Sequence, residues 1–343
     1  MGEKMTTFSR VVSEIGTLLA RDGYKVKPTS VRAVFAKSTF PSPILAIPDV
    51  HLGDGRIGTD IFLHNQPEKA TRLASVLRAI RDFQAQHPLS SRAVQLGDWF
   101  DVWRVAGHDA SDMDFGAIEN AKAYREILDL DAQIGLAHVI GNHDASFVDA
   151  VPNRRAQQTA HFRLGFWLGS NVYALHGHQN DMLVPPGQPV DAALVYLATV
   201  IGGFTPGMTT LQAFVDRLSA PGALATWLHD GLRTVRGDPG AIAPRRDDRT
   251  LPTSITRGTF AADPTRVKRL VKIVREIEKL AGSAGRRAEV IIVGHSHTPS
   301  LYWTSVGGRT VVVADAGAWV YSQANFLVAA DDSIAVFDVV ARA

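Results

Sequence analysis

The sequence LAHVIGNHD at residues 136–144 joins an apolar run to a polar tetrapeptide, Gly141-Asn142-His143-Asp144. The run has the length and composition of a buried strand, and the tetrapeptide offers carboxamide, imidazole and carboxylate groups. Four other apolar runs of the chain end in the same kind of side chain. This repeated arrangement of a strand followed by metal-binding groups is the basis for the fold class and the chemistry that we predict.

The other four segments are expected to meet the first at one edge of a sheet. In an open α/β sheet, ligands gather at the carboxyl ends of the strands, so residues distant in sequence converge there. Residues two apart on an extended chain point to the same side, which favours pairs such as Asp49 with His51. The segments are Asp49-Val50-His51, Gly97-Asp98-Trp99-Phe100-Asp101, His176-Gly177-His178 and Gly294-His295-Ser296-His297.

These side chains predict a centre with two divalent metal ions. Hard divalent ions prefer carboxylate, carboxamide and imidazole ligands in a near-octahedral shell. The set is too large for one ion and suits two ions that share a carboxylate, for which Asp98 is the expected bridge. Manganese, iron, zinc and magnesium all fit, with manganese favoured. The predicted ligands are Asp49, His51, Asp98, Asn142, His176, His295 and His297.

Hydrolysis of a phosphoester is the reaction that such a centre predicts. Two ions about 3.5–4 Å apart can hold a phosphoryl group and lower the pKa of a shared water, so a metal-bridging hydroxide is the expected nucleophile. His143 is predicted to contact the phosphate or protonate the leaving oxygen, with Asp144 orienting its ring. Asp101 is expected either to support a metal ligand or to have a purely structural role. His178 is either a substrate contact or a loop histidine.

The composition is that of a soluble globular protein. The chain has 343 residues, of which 45% are hydrophobic and 20% charged, and its formal net charge is +2. Neither sign of charge dominates, so the composition indicates no nucleic-acid partner. The sequence contains no cysteine, which excludes disulfides and thiolate metal sites. Since no signal-peptide pattern is evident, a cytoplasmic location is expected.

Hydrophobic periodicity predicts a core with two additions. Residues 1–40 are predicted to be an N-terminal helical extension, because apolar residues recur there at helical spacing. Residues 41–181 and 264–343 are assigned to the core. Residues 182–263 are predicted to be a helical insert or cap over the cleft. An apolar helix within this insert is expected to be buried, with contact to a membrane surface or a partner as the alternative.

Within the core, strands and helices are predicted to alternate before a β-rich tail. Helices are expected at residues 69–87, 116–133 and 157–168, each between apolar runs that read as strands. From residue 302 onward, short apolar runs separated by turns are expected to form antiparallel strands of a second sheet packed on the first.

The five segments resemble the motifs of the calcineurin-like metallophosphoesterase family, which are D-x-H, G-D-x-x-D, G-N-H-D/E, H and G-H-x-H. All five occur in order over residues 49–297. The resemblance implies an α/β (α+β) fold, a four-layer β-sandwich of two mixed sheets flanked by helices, with His143 as the catalytic histidine. It implies one ion held by Asp49, His51, Asp98 and His297 and another held by Asp98, Asn142, His176 and His295.

Within this family, residues 97–103 are similar to those of bacterial UDP-2,3-diacylglucosamine pyrophosphatases, which also carry a helical insert before the last motif. That subfamily usually has arginine at the position of His143, and protein phosphatases usually have arginine at the positions of Ala145 and Val102. The predicted function is therefore a phosphodiesterase or pyrophosphatase with a small-molecule substrate. A phosphomonoesterase, including a protein phosphatase, and a non-catalytic scaffold are the alternatives, and monomer and oligomer both stay open.

Overall fold

The fold is described from a computed structural model of the chain. The described residues are 7–53, 55, 62–63, 66–88, 91–101, 121–141, 161–163, 165–177, 255–258, 271, 275, 286–306 and 309–342.

Helices and strands alternate in the first half of these residues, and strands dominate the last part. The helices with described bounds are α1 (Thr7–Arg21), α2 (Glu68–Gln86) and α3 (Arg125–Ile134). The strands are β1 (Tyr24–Phe35), β2 (Phe40–Ile47), β3 (Arg92–Gln95), β4 (Ala137–Val139), β5 (His161–Arg163), β6 (Gly165–Trp167), β7 (Val172–Leu175), β8 (Ile255–Gly258), β9 (Val290–Val293), β10 (Ser300–Val306), β11 (Arg309–Asp315), β12 (Asn325–Asp331) and β13 (Ser333–Ala341).

The described strands form two mixed sheets. The larger sheet has eight strands in the order β5-β4-β3-β2-β12-β13-β1-β8, and the smaller has five in the order β10-β11-β9-β7-β6. In the larger sheet β2 to β5 run parallel, whereas β12, β13 and β1 pair antiparallel. In the smaller sheet β7, β9 and β11 are parallel, and β6 and β10 are antiparallel to their neighbours. The predicted fold class is confirmed.

Alternating side chains of the central strands enter different layers of the core. In β2, Leu45 and Ile47 belong to the core shared with α1 and α2. Their neighbours Ile44 and Ala46 pack between the two sheets. On the far side, the helical residue Val271 is buried with residues of the smaller sheet. Because both faces of each sheet are covered, the central strands read as continuous apolar runs.

The prediction of a helix over residues 157–168 is wrong in its described part. Residues 161–163 form β5, which pairs parallel with β4, and residues 165–167 form β6, which pairs antiparallel with β7. Pairing of β5 with β4 and of β6 with the next strand, β7, overrides a helical pattern of this length, because strand preference depends on context. In the predicted helix at residues 116–133, described residues 121–124 are not helical and α3 begins at Arg125, whereas residues 116–120 lie outside the described residues.

The β-rich tail does not form a sheet of its own. β10 and β11 join the smaller sheet, whereas β12 and β13 join the larger one, where β12 lies between β13 and β2. The smaller sheet also contains β7 and β9, which were predicted to lie in one sheet with β2, β3 and β4. Apolar runs predict that these segments are strands, but strands buried on both faces carry no pattern that selects a partner.

The N-terminal region contains more than the predicted helix. α1 forms as expected, and its apolar face, which includes Phe8 and Ile15, is buried. β1 then lies between β13 and β8 in the larger sheet. Residues 182–263 lie outside the described residues except for β8, so the domain boundaries and the helical cap stay predictions. Among the described residues, no helix is both long and apolar enough to cross a lipid bilayer.

We expect that Ile15→Ala will lower the free energy of unfolding by about 2–5 kcal/mol, because it opens a cavity between α1 and the larger sheet. Ile15 is 1% exposed in this core. Urea unfolding followed by circular dichroism measures the change. Ile134→Ala is the matched control. Because Ile134 is only partly buried at the end of α3, its replacement should lower the free energy of unfolding by less. Equal costs for the two variants would show that α1 is not packed as described.

Candidate metal centre

The described metal-ligand candidates converge where strands of both sheets end. Asp49 and His51 follow β2 and Asp98 follows β3 in the larger sheet, whereas His176 follows β7 in the smaller sheet, as the histidines after β9 do. One ligand atom of each residue in a group lies within 4.8 Å of those of the other members. The two groups are Asp49, His51 and His297, and Asp98, His176 and His295.

The family resemblance implies the same two sets, except that it places Asp98 in both and adds Asn142 to the second. Each group draws on both sheets, so a metal ion in either one would join them. Asn142 lies outside the described residues, as do His143, Asp144 and His178. The metal-binding role of the described residues stays a prediction, but their convergence is a property of the structure.

Backbone conformation at these residues is unusual. His51, Asp98, His295 and His297 have φ angles of 58°, 50°, 75° and 54°. A residue other than glycine loses roughly 1–2 kcal/mol in the left-handed region, because its Cβ approaches the following carbonyl oxygen. Such conformations persist only where the surrounding structure enforces them, and they cluster at functional sites. The turns after β2, β3 and β9 therefore place these side chains at an energetic cost.

Glycines within the motifs make room for the carboxylates. A Cβ on Gly294 would overlap with Oδ1 of Asp49, and a Cβ on Gly141 would overlap with Asp98. Neither glycine is among those with a positive φ, so close approach and not backbone conformation requires a glycine there. The carboxylate of Asp98 is thus packed directly against the backbone of Gly141, just after β4. The carboxylate of Asp49 is packed in the same way against Gly294, just after β9.

Asp98 belongs to the second group and also lies close to a histidine of the first. Its Oδ2 is 3.5 Å from Nε2 of His51 and 3.3 Å from Nε2 of His176. These histidines belong to different groups. A bridging role for Asp98 stays a prediction.

Asp49 has a carboxylate oxygen that a cation would satisfy. Its Oδ2 accepts a hydrogen bond from the backbone N–H of His295 at 2.8 Å and lies 3.3 Å from Nε2 of His297. Its Oδ1 is buried and accepts no hydrogen bond from the described residues, and Nδ1 of His176 lies 3.6 Å from it, beyond hydrogen-bond distance. A buried carboxylate oxygen without a hydrogen bond is costly, so the donor set at this position fits a metal ion.

The environment of His176 favours positive charge. Its Nδ1–H donates to the carbonyl of Leu96 at 2.8 Å, which directs Nε2 toward Asp98. Burial by itself lowers the pKa of this imidazole, but the charges of Asp98 and Asp49 outweigh burial and raise the pKa to about 10. Nε2 is therefore a position where either a proton or a metal ion is stabilised.

Asp101 lies beside His51, as expected for a supporting residue. Its Oδ2 is 3.8 Å from Nδ1 of His51, and both side chains are buried. A carboxylate at this place can hold the imidazole with Nε2 toward the metal position.

Two residues near the centre were missed by the sequence analysis. Gln95 donates to the carbonyl of Gly97 at 2.6 Å and accepts from its N–H at 3.0 Å, which holds the turn that presents Asp98. Asp315 accepts a hydrogen bond from Ser296 Oγ at 2.6 Å. Asp315 ends an apolar run, VVVAD, as the motif residues do, so the same signal could have found it. Gln95 sits inside its strand and carries no such signal.

The fold and the grouped side chains define a candidate two-metal centre at the junction of two mixed sheets. No family model matches the sequence, and no curated protein matches it. Among solved structures the chain is similar to a dimetal phosphatase from Danio rerio, with 12% sequence identity and a TM-score of 0.33. The match covers 85% of this chain and 96% of that one.

Gly294→Ala should weaken Mn²⁺ binding without unfolding the protein. The added Cβ overlaps with Asp49 Oδ1 and must displace that carboxylate from its group. Calorimetric titration of metal-stripped protein with Mn²⁺ measures the effect. Gly169→Ala is the matched control, since the atom nearest to its Cβ is at an ordinary 3.8 Å. Wild-type Mn²⁺ affinity in Gly294→Ala would contradict a role for Asp49 as a ligand.

Proposed function

We propose that the protein is a phosphoester hydrolase that depends on two divalent metal ions. The observation that carries this proposal is that Asp98, which groups with His176 and His295, also lies 3.5 Å from His51 of the other group. When bound, two such ions would neutralise a phosphoryl group and generate a nucleophile from water near neutral pH.

The chain's own residues would hold the ions and fix their ligands. Asp49, His51 and His297 would bind the first ion, with Asp98 shared between the two. His176 and His295 would bind the second ion, and Asn142 is proposed to complete its set of protein ligands. The hydrogen bond from His176 to Leu96 orients one imidazole. Asp101, whose Oδ2 lies 3.8 Å from Nδ1 of His51, is proposed to support a second.

The substrate is proposed to approach on the side of the first group. The side chain of His297 is 17% exposed, whereas the other five grouped residues are buried. His143 is proposed to contact the phosphate or to protonate the leaving oxygen, with Asp144 orienting its ring. These two roles rest on the motif in the sequence.

A phosphodiester or pyrophosphate of a small molecule is the proposed substrate, and manganese is the favoured metal. The sequence supports a small-molecule substrate over a protein substrate, because Val102 and Ala145 stand where protein phosphatases usually have arginine. A phosphomonoester is the second candidate. A non-catalytic scaffold is disfavoured, because every metal-ligand position of the five motifs is occupied by a residue that can bind a metal ion.

Asp98→Asn should reduce kcat/KM for bis(4-nitrophenyl) phosphate in Mn²⁺ by about 10²–10³-fold, since a bridging carboxylate supplies several kcal/mol of metal-dependent stabilisation. Release of 4-nitrophenolate measures the rate, and elemental analysis of the same samples measures bound metal. His87→Ala is the control, because His87 pairs with Glu14 at the α1–α2 contact. Undiminished hydrolysis in Asp98→Asn would exclude the mechanism.

The substrate class is tested with the wild-type protein loaded with Mn²⁺. We expect a higher kcat/KM for bis(4-nitrophenyl) phosphate and for a pyrophosphate diester than for 4-nitrophenyl phosphate. Initial rates at matched concentrations of the three esters make the comparison. A preference for the monoester would replace the proposed substrate class with the second candidate.

A further inference from the structure

We infer that Asp315 and Ser296 form a positioning pair that holds the loop carrying His295 and His297 in its metal-binding conformation. This inference rests on the proposed two-metal centre and concerns residues outside it. Neither Asp315 nor Ser296 belongs to the grouped ligands. Both act on His295 and His297 through the backbone of the loop that carries these two histidines.

Strand pairing places Asp315 next to the loop. β9 and β11 are parallel neighbours, and their last residues, Val293 and Asp315, are paired. The segment Gly294 to His297 leaves the sheet at the same level as the Asp315 side chain. Asp315 is fully buried, at 0% exposure, so its carboxylate has to be satisfied by the groups around it.

The hydroxyl of Ser296 makes the direct connection. Its Oγ lies 2.6 Å from Oδ2 of Asp315 and 3.2 Å from the carbonyl oxygen of Thr298. A hydroxyl has one proton to donate, and the short bond to a carboxylate is the stronger of the two. The same Oγ accepts the backbone N–H of Thr298 at 3.3 Å. Ser296 therefore ties the loop to Asp315 and also closes a local turn.

The loop needs such a restraint because of its backbone. His295 and His297, on either side of Ser296, have φ angles of 75° and 54°. Without external contacts, residues with a Cβ leave this region for more favourable conformations. The backbone N–H of His295 is held by Asp49 at 2.8 Å. The bond from Ser296 to Asp315 provides a second fixed point between the two histidines.

Asp315 is itself fixed by a chain of hydrogen bonds that leads into the larger sheet. Its Oδ1 accepts the N–H of Gly317 at 3.0 Å. Two residues of the larger sheet continue the chain, because Asn325 Oδ1 accepts the N–H of Ala318 at 3.0 Å and Asn325 Nδ2 donates to Asp338 at 2.7 Å. The position of the histidine loop is therefore coupled to β12 and β13.

The consequence for function is specific. If the pair positions the histidines, its loss lowers the affinity for both ions, because one histidine of the loop belongs to each group. Residues that orient metal ligands typically change metal affinity by about 10–100-fold when they are removed. A merely structural contact would instead lower the stability of the metal-free protein and leave metal affinity unchanged.

The test compares four variants of the full chain by Mn²⁺ titration of metal-stripped protein, with electron paramagnetic resonance to count free and bound Mn²⁺. Ser296→Ala and Asp315→Asn should each weaken binding by about 10–100-fold. Ser296→Thr keeps the hydroxyl and should restore most of the affinity. Ser300→Ala is the matched control, because Ser300 is buried on the adjoining strand and its Oγ has no hydrogen-bond partner among the described residues.

Wild-type affinity in Ser296→Ala would overturn the inference, even if Asp315→Asn failed to fold. Equal loss in Ser296→Ala and Ser300→Ala would also overturn it, because the effect would then come from repacking. A wild-type protein that binds no Mn²⁺ would overturn the proposed function together with the inference. If the wild type binds two Mn²⁺ but hydrolyses no phosphoester, only the proposed activity fails, and the Ser296 variants still decide the inference.

Discussion

The buried carboxylates of Asp49 and Asp98 impose the main constraint on this structure. Both are at most 1% exposed, at the junction of the two sheets. Burying a charge is costly unless cationic groups or hydrogen-bond donors compensate it, and four histidines and a backbone N–H surround these two residues. The raised pKa of His176 has the same cause, since both carboxylates favour positive charge on its ring.

The fold accommodates this charged cluster through its backbone. Left-handed residues at the ends of β2, β3 and β9 turn the ligands inward, and glycines at 141 and 294 leave space for the carboxylates. Each of these features costs stability locally. The surrounding core offsets that cost, because both faces of both sheets are covered by apolar side chains. Strain at a site held in place by a rigid core is typical of functional centres.

Each candidate group takes ligands from both sheets, so the centre also bears on how the sheets are held together. Asp49 and His51 come from the larger sheet and His297 from the smaller, whereas Asp98 of the larger sheet joins His176 of the smaller. Bound cations would therefore add cross-links to the apolar packing between the sheets. The chain from Ser296 through Asp315 to Asn325 makes a further connection of this kind with hydrogen bonds.

The sequence by itself predicted that apolar runs are strands, that polar motifs follow them, and which side chains form the candidate centre. These features are local, because burial on both faces requires continuous apolar residues and ligands must follow strand ends. The structure brings the six described ligand candidates together in two groups. Only the tertiary structure decided the division of the tail between two sheets, the strand at residues 161–163 and the place of β1. It also revealed Gln95 and Asp315 as supports of the motif loops. Strand partners and the hydrogen bond from Ser296 to Asp315 join residues far apart in sequence, so no local pattern specifies them. The hydrogen bonds between Gln95 and Gly97 span only two residues, but a glutamine inside a strand carries no signal of them.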